Sequence, residues 1–332
     1  MFTTFCKSIE QNVWYRVLLI SVTVLLLVSA YNKIQRLKVP VPYSGSLMES
    51  FINSSSSGSG NNSSNIIIKK DADTKDAFYA AVYNQLFNQK VDNAYEVGAI
   101  INKYPAISNQ TVALDVGAGT GAYMNAFIQK GITNITGIET SADMIAQAKK
   151  AHPDRKLNIV QGDPTVPTAF EPDSFTLVSM MNFEVYYIPN TEQLFSNIYA
   201  WLKPGGYFVL HLVDPRRFNP SSLLGGGGGT TTRSTSATRT TRTHAQNVVK
   251  LNDFEYTSDV QVFPNDMVQY MEVFTHDKTG KVRKNVRNFK IPSPQSFIEL
   301  ATGVGFNMLG QIDLVKAQKE YQYFYLFYKP AN

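Results

Sequence analysis

From residue 71 onward the spacing of apolar positions changes several times. Phe78, Val82, Tyr83, Leu86 and Phe87 recur every three or four residues, which predicts an amphipathic helix, and 94–104 reads as a second. Residues 111–116 (TVALDV) form a short apolar run of strand length, followed by a glycine-rich turn and a helical stretch over 122–130. Strands follow at 135–138, 157–160, 175–180 and 207–213 (YFVLHLV), with helices at 141–151 and 191–202; Ser141 has the chemistry of an N-cap. Uninterrupted apolar strands alternating with helices predict a parallel sheet covered on both faces.

Past Asp214 the periodicity stops. Residues 215–250 hold five consecutive glycines and a Thr/Ser/Arg run, and read as a disordered insertion. Residues 251–292 return to strand-like runs at 254–263, 267–275 and 282–291, the last two joined as a hairpin by Asp277-Lys278-Thr279-Gly280. A helix from Ser293 through Ala301 and strands at 306–314 and 321–328 complete the chain over 293–332. With no helix between them, the last two strands are expected to pair antiparallel at one side of the sheet. The aromatic alternation of 321–328 reads as core packing.

The N-terminal part has a different texture. Residues 17–30 (VLLISVTVLLLVSA) are uncharged, and with Trp14, Tyr15 and Tyr31 at the edges the 14–31 stretch approaches the ~20 residues that span a bilayer. It reads as a single transmembrane anchor after a 13-residue tail; a cleaved secretory signal ending at Val28-Ser29-Ala30 is the competing reading. Lys7 and Arg16 before the span, against Lys33, Arg36 and Lys38 after it, favour a single-pass protein with its large C-terminal part in the cytoplasm. Residues 32–70, rich in Ser, Asn and Gly, read as a flexible tether to a core over 71–214.

Composition narrows the chemistry. The 332 residues are 43% hydrophobic, enough to bury a sizeable core. One cysteine and four histidines exclude a disulfide framework and argue against a thiolate or imidazole metal cluster, so no metal is expected. The net charge of +5 would suggest nucleic acid, but 215–247 carries five arginines and no acid, and 1–40 carries five bases against Glu10. The body between these basic appendages is mildly acidic, which argues against a phosphate-tracking groove.

The strongest local signal is Leu114-Asp115-Val116-Gly117-Ala118-Gly119-Thr120-Gly121, set between a strand and a helix. Glycines there permit a tight turn and let a ligand reach main-chain N–H groups at a helix start. Gly117, Gly119 and Ala122 also fit a dinucleotide fingerprint, and Glu139 follows about 20 residues on, where a ribose needs a carboxylate. Three features weigh between the readings. Asp115 would repel a pyrophosphate but can hold a cationic amino-acid moiety. Gly162-Asp163 after the third strand supplies an acid for an exocyclic amine. Leu202-Lys203-Pro204-Gly205-Gly206-Tyr207 closes a helix and opens the fifth strand.

With these motifs the chain resembles the class I S-adenosylmethionine-dependent methyltransferases, in unpermuted motif order, most closely their small-molecule branch. The resemblance is carried by residues 78–215 and extends more loosely to 328. It implies a Rossmann-like seven-stranded α/β sheet with S-adenosylmethionine as cofactor and the antiparallel β insertion as a substrate lid. It further implies that Asp115, Gly117, Ala118, Gly119 and Gly121 surround the methionine part and that Glu139 binds the ribose. Thr140, Ser141 and Met144 would flank the adenine, with Gly162, Asp163 and Pro164 by its amino edge. Asn182 and Phe183 would lie near the sulfonium and substrate, and Tyr83 would close over the cofactor. An Asn-Pro-Pro-Tyr-type sequence after the fourth strand is absent; Asn182-Phe183-Glu184-Val185 stands there, which lowers the case for a nucleobase or glutamine acceptor.

Methyl transfer from a sulfonium needs alignment and desolvation, plus a base only where the nucleophile must lose a proton. His211 and Asp214 at the end of the fifth strand, and Tyr270, Glu272 and His276 in the lid, are the candidates for substrate contact or proton removal. None stands out as the base; His211 inside an apolar strand has the setting of a core histidine, and His276 beside a turn that of a solvated one. The expected function is methyl transfer to an N or O nucleophile of a small molecule, membrane-proximal if the anchor holds. An NAD-dependent oxidoreductase and a non-catalytic membrane scaffold with the same fold are the alternatives.

Overall fold

The computed structural model describes residues 21–24, 51, 66–87, 90–215, 242–243, 247–251, 253–263, 266–317 and 319–331. Two compact units divide the chain, Met1–Met48 and Glu49–Asn332. Of the first, only 21–24 are described, and they are helical and exposed. The span expected at 14–31 otherwise lies outside the described residues, and among those described no helix is long and apolar enough to cross a membrane.

In the second unit, strands β1 (Ile66–Lys70), β2 (Ala113–Val116), β3 (Ile135–Glu139), β4 (Asn158–Gln161), β5 (Phe175–Met180) and β6 (Leu202–Val213) are joined mainly by helices. These are α1 (Ala77–Leu86), α2 (Lys90–Lys103), α3 (Ala122–Gln129), α4 (Ala142–Ala151) and α5 (Thr191–Trp201). Then come β7 (Arg242–Thr243), β8 (Asn247–Lys250), β9 (Phe254–Val262), β10 (Met267–His276) and β11 (Val282–Lys290), followed by α6 (Pro294–Val304), β12 (Asn307–Asp313) and β13 (Gln322–Tyr328).

The main sheet has seven strands in the order β12-β13-β6-β5-β2-β3-β4. β2 to β6 are mutually parallel, while β13 runs antiparallel between β6 and β12. β2 is buried along its whole length, Asp115 included. Its alternate side chains feed opposite cores. Leu114 and Val116 join Phe195 and Trp201 of α5 and Phe297 of α6, while Ala113 faces Val97 and Ile100 of α2 and Phe127 of α3. Burial on both faces is what the uninterrupted apolar runs required.

Local chemistry sets the helix starts. Asp76 accepts from Tyr79 N (3.2 Å) at the N-cap of α1, and Ser141 accepts from Met144 N (3.1 Å) at that of α4. Gly305 ends α6 in the left-handed conformation (φ 118°), which costs glycine little.

A second sheet of six strands contains β9, β10 and β11 as an antiparallel meander, with the Asp277–Gly280 turn between β10 and β11. Three of its strands fall outside 251–292. β7 and β8 pair with β9, and β1, at the end of the stretch read as a tether, pairs parallel with β11. Phe51 packs its ring against Phe78 and Phe254. Of the insertion expected at 215–250, residues 216–241 and 244–246 lie outside the described residues.

Candidate active site

The chain runs from β2 outward to β3 and β4, then returns to β5 on the other side of β2. β2/β5 is therefore the switch point of the sheet, where the loops leaving two adjacent strands diverge and open a crevice at their C-terminal ends. The loop after β2 and the loop after β5 supply its two lips.

The first lip is Gly117–Gly121. Gly117, Gly119 and Gly121 adopt φ of 72°, 53° and 74°. The turn is pinned beneath by Gly117 N and Ala118 N, which donate to Ile138 O (2.9 and 3.1 Å). A Cβ at Gly121 would lie 2.4 Å from Leu157 Cδ1, whereas one at Gly119 would meet nothing nearer than Met144 Cε at 3.7 Å. Gly121 is glycine because the fold is tight there; Gly119 keeps a face of the loop open.

Glu139 ends β3 and is 2% exposed. Its Oε2 accepts from Gly119 N (3.0 Å), and its Oε1 accepts from Ser141 N (2.9 Å) and Thr140 Oγ1 (3.2 Å). A carboxylate offers about four lone-pair sites, so capacity remains for a ligand hydroxyl. Asp115 lies within β2, where Ser179 Oγ donates to its Oδ1 (2.8 Å). Burial pushes its carboxyl up to about 7; the Ser179 hydrogen bond opposes this, and the charges of Glu139 and Glu184 reinforce it.

The second lip follows β5. Asn182 and Phe183 both sit at positive φ (49° and 63°), a strain of about 1–3 kcal/mol each that packing must hold. Phe183 is held by its ring against His211 (4.2 Å between centroids) and by its carbonyl, which accepts from Tyr186 N (3.0 Å). These two residues turn the chain so that Glu184, heading the 3-10 helix Glu184–Tyr187, lies over the first lip. A Cβ on Gly117 would be 2.3 Å from Glu184 Cγ.

Lys75, just before α1, closes the crevice from the side. Its Nζ lies 3.0 and 3.2 Å from the Glu184 carboxylate oxygens and 4.0 Å from Glu139 Oε1. Ser141 Oγ donates to the Lys75 carbonyl (2.7 Å). Burial disfavours the ammonium, but the two carboxylates outweigh it and hold Lys75 above the usual lysine range. Burial raises Glu184, against the pull of Lys75. Tyr83 on α1 faces this pair and is likewise raised by burial. Neither Lys75 nor Glu184 stood out in the sequence, because the pair is separated by 109 positions and carries no local pattern.

The remaining expected cofactor residues lie on α4 and on the loop after β4. Met144 is buried beside Gly119. Gly162 N donates to Glu139 O (3.1 Å), and the Pro164 carbonyl accepts from Asn197 Nδ2 (2.9 Å). Asp163 is exposed, its Oδ1 accepting from Thr165 N and Oγ1 (2.8 and 2.7 Å).

The four catalytic candidates are distributed differently. His211 is fully buried between the rings of Phe183 and Phe324, and burial, with the charge of Lys319, holds it well below the usual histidine range. His276, expected to be solvated, is 6% exposed; its Nδ1 accepts from Thr279 N (3.2 Å) and its ring meets Phe254, so it ties the β10–β11 turn. Tyr270 and Glu272 belong to a buried cluster between the second sheet and α1. Glu272 Oε1 accepts from the hydroxyls of Tyr79 (3.1 Å) and Tyr256 (2.9 Å), and its Oε2 pairs with Arg287 Nη2. Asp214 is half-buried where β6 ends, its N donating to Tyr321 O (2.9 Å).

An open glycine cradle, a ribose-length carboxylate and a surplus of acids at the switch point fit a cationic nucleoside such as S-adenosylmethionine. These are the features that the resemblance to the class I S-adenosylmethionine-dependent methyltransferases implies at this place in the sheet. Residues 114–210, under a third of the chain, match the family model described as a methyltransferase domain. Over 99 residues it is 37% identical to a sterol 24-C-methyltransferase of Candida albicans, covering 29% of this chain and 26% of that protein. Over 109 residues it is 32% identical to phosphoethanolamine N-methyltransferase 2 of Caenorhabditis elegans, covering 32% and 25%. The chain thus spans about a quarter of the length of these curated relatives. In fold it is similar to an S-adenosylmethionine-dependent methyltransferase from Clostridium acetobutylicum (TM-score 0.54, 16% identity, 76% of this chain and 98% of that one). It is also similar to an amino pentose methyltransferase from Micromonospora echinaspora with S-adenosylmethionine bound (TM-score 0.55, 16% identity, 76% and 97%).

Proposed function

We propose that the protein transfers a methyl group from S-adenosylmethionine to an N or O nucleophile of a small molecule. The observation that carries this reading is the meeting of Asp115, Glu139 and the open face of Gly119 at one crevice of the sheet. When bound there, S-adenosylmethionine supplies an electrophilic methyl on a positively charged sulfur. The chain's own part is to hold and orient. Asp115, ionised above about pH 7, offers its charge to an ammonium, and Glu139 accepts ribose hydroxyls with its remaining lone pairs. Tyr83, Tyr187 and the lid residues around Arg287 exclude water from the space beside Glu184, which strengthens every electrostatic contact made there.

The N-methylating and sterol-methylating relatives support a small-molecule acceptor. The uncharged 17–30 stretch supports one drawn from, or delivered to, a lipid surface, with the domain on the cytoplasmic side.

The test is incubation of the full chain with methyl-labelled cofactor and fractionated cell extract. Label is expected in a low-molecular-weight fraction, with accumulation of S-adenosylhomocysteine. Label in macromolecules alone would contradict the small-molecule reading. Turnover of NAD without methyl transfer would replace the reading with the oxidoreductase alternative, and binding without transfer to any fraction would favour a scaffold.

A further inference from the structure

Glu184, Lys75 and Glu139 form a chain of charges across the crevice. Lys75 Nζ lies between the carboxylate over Gly117 and the carboxylate at the end of β3, so its ammonium stands on the line from the glycine lip to the ribose acid. Three carboxylates, Asp115, Glu139 and Glu184, face this space; Lys75 is the cation that bridges two of them, and Arg287 adds a lesser attraction to Glu184. Two acids so close in a buried crevice repel each other by an amount only a neighbouring positive charge offsets. Lys75 is that charge, and its side chain is 18% exposed, within reach of the exterior. The segment bearing it is anchored through its main chain. The Lys75 carbonyl accepts from Ser141 Oγ, and the preceding Thr74 carbonyl accepts from Arg283 Nη2 (3.2 Å). These anchors involve only the main chain, so a change of partner by the side chain does not require the segment to move.

Resting on the cofactor assignment above, we infer that Lys75 is an internal stand-in for the cofactor's positive charge. It pairs with Glu184 in the unliganded chain and gives up that carboxylate to S-adenosylmethionine on binding. Glu184 is then the residue that distinguishes the charged cofactor from its neutral thioether product. S-adenosylhomocysteine has the same nucleoside and amino acid but lacks the sulfonium charge, so it gains less from a vacated Glu184. Because the displaced ammonium must be resolvated, Lys75 sets the affinity for the cofactor without touching its recognition by Asp115 or the glycine loop.

The experiment is calorimetric titration of the full chain and its Lys75→Met and Glu184→Gln variants with S-adenosylmethionine and with S-adenosylhomocysteine. Lys75→Met is expected to tighten S-adenosylmethionine about tenfold more than S-adenosylhomocysteine, since the competing cation is gone. Glu184→Gln is expected to weaken S-adenosylmethionine about tenfold more than the product, because the preferred counter-charge is gone. Equal changes for both compounds, or weaker S-adenosylmethionine binding by Lys75→Met, would overturn the displacement and make Lys75 a ligand or a structural ion pair. Failure of the unaltered chain to bind either compound would remove the cofactor assignment itself, and this inference with it. Thermal melting of each variant without ligand separates loss of fold from loss of binding, and Lys75→Arg, which restores the charge, is expected to return the ratio to that of the parent.

Discussion

Glu272→Ala is expected to lose about 3–5 kcal/mol of folding stability in a denaturant titration. Glu272 is fully buried on β10, and its two oxygens bind the chain's own groups, Tyr79 and Tyr256 hydroxyls on one and the Arg287 guanidinium on the other. Removing the carboxylate leaves Arg287, 7% exposed and ringed by Tyr79, Tyr187 and Tyr270, as a buried cation without its counter-charge. Desolvation of that unpaired charge, added to the orphaned hydroxyls, outweighs the loss of one surface-type ion pair by several-fold. The double replacement Glu272→Leu with Arg287→Met removes both charges, so it should cost less than either single change. A loss under about 1 kcal/mol for Glu272→Ala would show that water reaches the cluster and that its polar groups contribute little to docking the second sheet on α1.

The second large effect runs the other way. Asp115→Asn is expected to stabilise the unliganded protein at pH 8 while abolishing most of its affinity for the cofactor. Burial raises the Asp115 carboxyl to about 7, above its unfolded value of 3.8. The native state therefore binds the proton more tightly than the unfolded chain, and stability falls as pH rises from about 4 through about 7. With the group largely ionised at pH 8, that difference corresponds to up to about 4 kcal/mol. Asparagine keeps an acceptor for Ser179 Oγ without the buried charge. Its advantage should be near zero at pH 4 and grow toward pH 8, visible as a rise in melting temperature of about 2–4 °C per kcal/mol. The same substitution removes the charge offered to the ligand, and S-adenosylmethionine should then bind at least about tenfold more weakly. A variant that melts lower than the parent at pH 8, or binds the cofactor unchanged, would contradict this account of Asp115.

These two residues also mark what the sequence could and could not disclose. Asp115 was legible because its chemistry is local. An acid two positions before a glycine turn, within a run apolar enough to be a buried strand, fixes both its place at the sheet and its charge. The parallel order of β2 to β6 and the antiparallel return of β13 followed in the same way from apolar runs and the presence or absence of a helix between them. Glu272 was visible only as an acid in a strand. Its three tyrosines and its arginine come from α1, β9, β10 and β11, and only the register Glu272↔Ser258 and Glu272↔Asn285 brings them together. β1 was hidden for a related reason. Five residues ending in two lysines, after a polar tract, have no pattern of their own, and their strand state is imposed by pairing with β11. β6 begins at Leu202 rather than at the expected Tyr207, with an irregularity where Phe175 pairs with Leu202 and Leu177 with Tyr207. Lys75 and Glu184 were unreadable for the most general reason, that an ion pair across the crevice exists only once the loop after β5 has been bent by Asn182 and Phe183.

The most direct test of the central claim is a crystal structure of the full chain grown with S-adenosylhomocysteine. The account predicts the nucleoside across the ends of β2 and β3, its ribose on Glu139, its amino-acid end toward Asp115 over the Gly117–Gly121 turn. Density for that compound elsewhere, with the glycine turn closed over empty space, would contradict it.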